Sequence, residues 1–125
     1  MRQVSRAVTA VSFLLVAALA GCASSGPSFS QSSEPSKSSI RAAEEVGAAK
    51  VPSASLYLQL AKEELENARA LAAEGKKEQA ASMLKRAEAD AELAVTLSHE
   101  QAEKAEAAKA IERARQLRID NQLPN

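Results

Sequence analysis

The single cysteine of the chain, Cys22, closes the run Leu19-Ala20-Gly21-Cys22. A thiol can ionise to a thiolate and be alkylated to a thioether, which no other side chain at that position could do. The small residues ahead of it make Gly21 and Cys22 a signal-type cleavage junction. Elsewhere, reactive side chains are sparse. His99 is the only histidine, with Glu92 seven residues before it and Glu103 four after, on one helical face. That is a hard-ligand set for a weak metal site, but the same three residues are ordinary on a solvated charged helix, and the surface reading is preferred. Asp90 stands among alanines four residues after Arg86, a spacing that suits an ion pair at the edge of a helical seam or a contact with a partner. Asp90 and Tyr57 are the candidate partner contacts. There is no glycine-rich phosphate loop, no nucleophile beside a base and no second histidine or cysteine, so no enzyme, cofactor, metal or small-molecule substrate is expected.

The segment ahead of Cys22 explains how it would be used. Arg2 and Arg6 form a charged head, an apolar run follows over residues 7–18, and Leu-Ala-Gly-Cys ends it. This three-part layout is that of an export signal over residues 1–21. The run is short of the roughly 20 residues needed to cross a bilayer, so a retained span is not expected. The four residues resemble the lipobox of bacterial lipoproteins. The resemblance implies that Cys22 receives diacylglycerol, that the chain is cut before it, and that the new amino terminus is acylated. Two or three acyl chains hold a protein on a bilayer stably where one does not. Ala23 is not the aspartate that resembles an inner-membrane retention signal, which points to the periplasmic face of the outer membrane.

Lysine plus arginine and aspartate plus glutamate each number 16 in 125 residues. Loss of Arg2 and Arg6 with the signal leaves a slightly acidic chain, and no segment collects a nucleic-acid footprint. Residues 23–39 are rich in serine, with Gly26, Pro27 and Pro35 and no apolar period, and read with Cys22 as a flexible tether. From residue 40 to 119 the composition turns to alanine, glutamate, lysine and leucine, and residues 120–125 read as a polar tail. An alanine-built core buries little apolar area, so only modest stability is expected.

The fold expected is all-α: after the tether, a short helix over residues 40–49, a break at Pro52, a helix to about Ala73, a turn at Gly75, and a long helix over residues 78–119. Ser53 or Ser55 would cap the middle helix. Leu58, Ala61, Leu65, Ala68 and Ala72 alternate steps of three and four, and so does a series from Ala80 and Leu84 through Ala94 and Ser98 to Gln101, Ala105 and Ala108. Folding back at Gly75 sets Ala68 against Leu84 and Ala61 against Ala91. Continued past Pro52, the same register sets Val46 against Ala105 and Ala43 against Ala108. The first two helices laid end to end would then match the third, roughly 60 Å long, in a two-layer antiparallel rod.

The series Pro52, Tyr57, Leu60-Ala61-Lys62, Leu65, Ala68, Gly75, Ala80, Leu84 and Ala87-Glu88-Ala89-Asp90-Ala91-Glu92-Leu93-Ala94 resembles bacterial domain-of-unknown-function family 4398, over residues 40–116. The resemblance implies a small helical envelope protein, without a defined activity. A weaker likeness to one tetratricopeptide unit, at Ala68, Gly75, Ala80, Leu84 and Ala87, implies a face that docks onto something else. The expected role is a non-catalytic spacer, scaffold or docking module, held to the membrane by its lipid and open to self-association or an envelope partner. The alternatives are a regulatory lipoprotein that presents the hairpin to an envelope enzyme or secretion machine, and a weak metal-binding stress protein.

Overall fold

The computed structural model describes residues 26–122, so the signal segment, Gly21 and Cys22 lie outside the described residues. The described chain is all-α. Helix α1 spans Phe29–Glu45, a single 3-10 turn spans Ala48–Lys50, α2 spans Pro52–Ala73, and α3 spans Lys77–Gln122. The α2–α3 hairpin turns at Gly75, whose φ of 77° lies in the left-handed region where a side chain would be strained. The expected register holds along it: Ala61, Ala68, Ala80, Leu84, Ala87 and Ala91 are all buried.

Helix α1 corrects the expected tether, starting eleven residues before Ile40. Ser28 caps it: its hydroxyl accepts from the Gln31 amide, and the Gln31 side chain accepts from the Ser28 amide. This reciprocal pair satisfies two amides of the first turn, which have no partner within the helix. Pro35 lies inside the helix, where it removes one ladder bond and crowds the preceding turn. The compensation comes from packing. Ser33, Ser36, Ile40 and Ala43 recur in steps of three and four and are buried as one stripe. The Ser36 hydroxyl donates to the Leu84 carbonyl at 2.8 Å, and the Ser33 hydroxyl donates to the Ser30 carbonyl at 3.0 Å. A serine whose hydroxyl is satisfied fills a seam much as alanine does, so a count of apolar residues alone misses this helix.

The second correction concerns where α1 lies. Gly47 takes a φ of 78°, the 3-10 turn follows, and Val51 is extended ahead of Pro52. Together these reverse the chain instead of carrying it on along α3. Helix α1 therefore lies antiparallel to α2 and parallel to α3, with Ser36 beside Leu84 and with Ile40, Ala43 and Ala48 in one cluster with Leu58, Ala61, Ala91 and Ala94. Lys62 of α2 pairs with Glu44 of α1 across that side. Val46 and Ala43 do not meet Ala105 and Ala108, which are exposed. The expected two-layer rod is thus a three-helix bundle over the first half of α3, and residues 99–122 of α3 run on without a neighbour among the described residues.

Two smaller differences concern helix ends. Neither Ser53 nor Ser55 caps α2; Val51 holds the cap position without a side-chain bond, and Pro52 occupies the first turn, where its missing N–H has no ladder partner to lose. Residues 120–122, expected in the polar tail, continue α3.

Among the buried apolar residues only Ile40, Leu58 and Leu84 are larger than alanine. Small side chains let the three backbones approach closely, but each buries little area at about 25 cal/mol per Å². Pairs such as Arg69 with Glu66 and Lys104 with Glu100 decorate the outer faces and are worth a few tenths of a kcal/mol each.

Candidate functional site

The most unusual chemistry among the described residues sits between α2 and α3. Glu64 lies in the buried stripe of α2, three residues after Ala61 and four before Ala68, and is 8% exposed. Arg86 of α3 reaches across to it, with Nε 3.0 Å from Glu64 Oε1. The other carboxylate oxygen, Oε2, is buried and has no hydrogen-bond partner among the described residues. Burial pushes the Glu64 carboxyl above the ordinary carboxylate range, the negative charge of nearby Asp90 raises it further, and Arg86 acts against both. The protonated form of Glu64 is therefore favoured at this seam.

This geometry revises the expected use of Asp90. Arg86 does not pair with it within α3 but bonds Glu64 on the neighbouring helix. Asp90 is half-buried, one turn further along α3. Glu64 is not among the residues singled out from the sequence. Its step of three from Ala61 and of four to Ala68 was the signal that it shares their stripe.

Tyr57 is half-buried and packs on the cluster of Ile40, Ala43, Leu58 and Ala94. It lies two turns before Glu64, roughly 10 Å along α2, so the structure does not bring Tyr57 and Asp90 into one site. His99, Glu92 and Glu103 are exposed, and among the described residues no three His, Cys, Asp or Glu side chains converge on a point that could hold a metal ion.

Two open clefts flank α1. The larger, about 290 Å³, lies where the starts of α1 and α3 meet the end of α2, and is lined by Phe29, Ala72, Ala80, Ala81, Leu84 and Lys77 among others. Phe29 is half-buried there, closing the bundle at that end. Among the described residues no helix is long and apolar enough to cross a membrane.

The arm at the other end is the largest exposed feature. Every residue from 99 to 122 is exposed, including Ile111 at 55%, Leu117 at 63% and Ile119 at 53%. It projects roughly 36 Å past the bundle.

Comparison of the chain with protein-family models, with curated proteins and with solved structures finds no match. The reading of function therefore rests on this chain's own residues.

Proposed function

We propose that this chain is a lipid-anchored protein of the bacterial cell envelope with a non-catalytic role, a helical spacer and docking module held at the periplasmic face of the outer membrane. One observation carries the proposal: a charged head, a short apolar run and Leu19-Ala20-Gly21-Cys22 stand in the order and spacing of a lipoprotein signal. The helical architecture fits that reading. A bundle that begins a few residues after Cys22 and ends in a long bare arm suits a part that carries a surface away from a membrane. The likeness to domain-of-unknown-function family 4398 is in keeping with an envelope setting.

The anchor needs nothing from the fold, because two or three acyl chains at about 0.8 kcal/mol per buried methylene suffice. Growth of the expressing bacterium with labelled palmitate tests it. The intact chain should take up label and sediment with outer membranes, and Cys22→Ser should lose both properties together. A Cys22→Ser chain that is exported and still sediments with membranes would rule the anchor out.

A further inference from the structure

We infer that the bare arm of α3 pairs antiparallel with the arm of a second copy of this chain. The inference starts from a change of face. At about 100° per residue, the buried stripe of α3, from Ala80 to Ser98, keeps to one side of the helix. Extended past Ser98, that side carries Gln101, Ala105, Glu112 and Gln116 and loses its apolar character. On nearly the opposite side a new stripe begins. Ala107, Ala110, Ile111, Ala114 and Leu117 fall within an arc of roughly 120°, the width of a helix-packing face. All five are exposed. The arm thus presents an apolar face that its own bundle cannot reach.

Charge names the occupant. Between residues 99 and 112, four glutamates outnumber two lysines, for a net charge of −2. Between residues 113 and 122, three arginines outnumber Asp120, for a net charge of +2. A second copy laid head to tail brings the acidic half against the basic half at both ends. A parallel copy would stack Glu100, Glu103 and Glu106 on their own counterparts and Arg118 on Arg118, at a cost that like charges impose wherever they face each other. With Ala107 opposite Leu117, the antiparallel register also sets Ala110 opposite Ala114 and Glu106 opposite Arg118. Small residues facing larger ones interdigitate, as the rest of this molecule's seams do. A bilayer fits the arm less well, since Leu117 and Ile119 lie about 160° apart and cannot dip into one surface together.

The pairing does not need the anchor, but its geometry deepens the proposed spacer role. The cleft lined by Gly26 and Lys77 marks the end of the bundle where the chain enters, opposite the tip of the arm. Two copies overlapping along their arms would place their entry points at the two ends of a rod roughly 100 Å long.

Disulfide trapping tests the pairing on the chain from residue 22 onward with its tail intact and Cys22→Ser, which retains every described residue and carries no lipid. One preparation carries Glu103→Cys and a second Asn121→Cys, positions opposite each other in the antiparallel register. The mixture should give the mixed 103–121 disulfide in several-fold excess over either homodimer. Raising salt from about 50 to about 500 mM should lower that yield several-fold, as screening removes the charge term. Leu117→Glu, an exposed position, should abolish trapping with unchanged helical content. Arg118→Glu should reduce it and Glu106→Arg added to that chain should restore it. Predominant 103–103 and 121–121 homodimers would overturn the antiparallel arrangement. A monomer in sedimentation equilibrium up to about 100 μM with no trapping, or an arm that binds vesicles while monomeric, would overturn pairing altogether. Because no lipid is present, failure here leaves the palmitate result untouched.

Discussion

Ser36 of α1 and Leu84 of α3, forty-eight residues apart in the chain, are joined by a hydroxyl-to-carbonyl hydrogen bond of 2.8 Å at a buried contact. The bond satisfies the serine and fixes how far α1 slides along α3. Ser36→Ala should cost about 1 kcal/mol, the net worth of a buried neutral hydrogen bond. Ser36→Leu forces a large side chain into a closely approached backbone and should cost about 1–3 kcal/mol more, freeing α1 from the hairpin. Urea titration followed by circular dichroism measures both, and equal losses for the two variants would mean that the contact is not close-packed.

Glu64 makes stability depend on pH in an unusual direction. Its folded-state carboxyl is raised above the ordinary value of 4.5 by burial and by Asp90. Between 4.5 and that raised value the folded chain holds the proton more tightly than the unfolded one. The stabilisation is therefore complete below 4.5 and is lost as pH rises through the folded value. Glu34 works in the opposite sense, lowered by its bond to Lys37, but it is exposed. Mild acidification from pH 7 should thus raise the melting temperature. Glu64→Gln should remove most of that rise and be about as stable as the native chain, or up to about 1 kcal/mol more so, at pH 7. A Glu64→Gln chain with the same pH profile as the native one would exclude a raised Glu64 carboxyl.

Arg86 is mostly exposed, yet it is the only cation that bonds Glu64 among the described residues. Arg86→Ala should leave a buried carboxylate without its counter-charge and cost about 1–3 kcal/mol at pH 7. At pH 4, with Glu64 protonated, the loss should shrink. Paired melts at the two pH values check this, and an equal loss at both would assign Arg86 to packing alone.

Gly47 and Gly75 both adopt positive φ with open space around the missing side chain, so the cost of alanine there is conformational and not steric. Each Gly→Ala change should cost about 1–2 kcal/mol. Gly26→Ala, with open space and no positive φ, should be neutral. Thermal melts of the three variants separate the two expectations.

Amide hydrogen exchange should divide α3 in two. Residues 80–98 are covered by two neighbouring helices, while residues 99–122 hold only their own ladder. Helical stability in proteins comes mostly from tertiary packing, which this stretch lacks, so its amides should exchange at least tenfold faster than those around Ala91 when the chain is dilute. Uniform protection along α3 at low concentration would mean that the arm is covered by something in the monomer.

The hairpin was legible because its signals are redundant: steps of three and four from Leu58 to Ala68 and from Ala80 to Ser98, with Gly75 between them. What was not legible follows from the same counting. A serine-rich run with Pro35 in it has the composition of a tether, so Ser33 and Ser36 do not stand out as extending the stripe of Ile40 and Ala43. A break at Pro52 does not say which way the chain leaves; the left-handed φ of Gly47 and the turn after it set that direction. Glu64 escapes notice because glutamate is almost never buried unless paired, and nothing in the sequence names Arg86 as its partner.

The side-by-side course of α1 and α3 also sets an order of events as the chain folds. The Ser36 hydroxyl meets its acceptor only when a stretch of sequence made much later arrives beside it, so it leaves the ribosome wet and without its final partner. The bundle therefore closes only after the first half of α3 has been made.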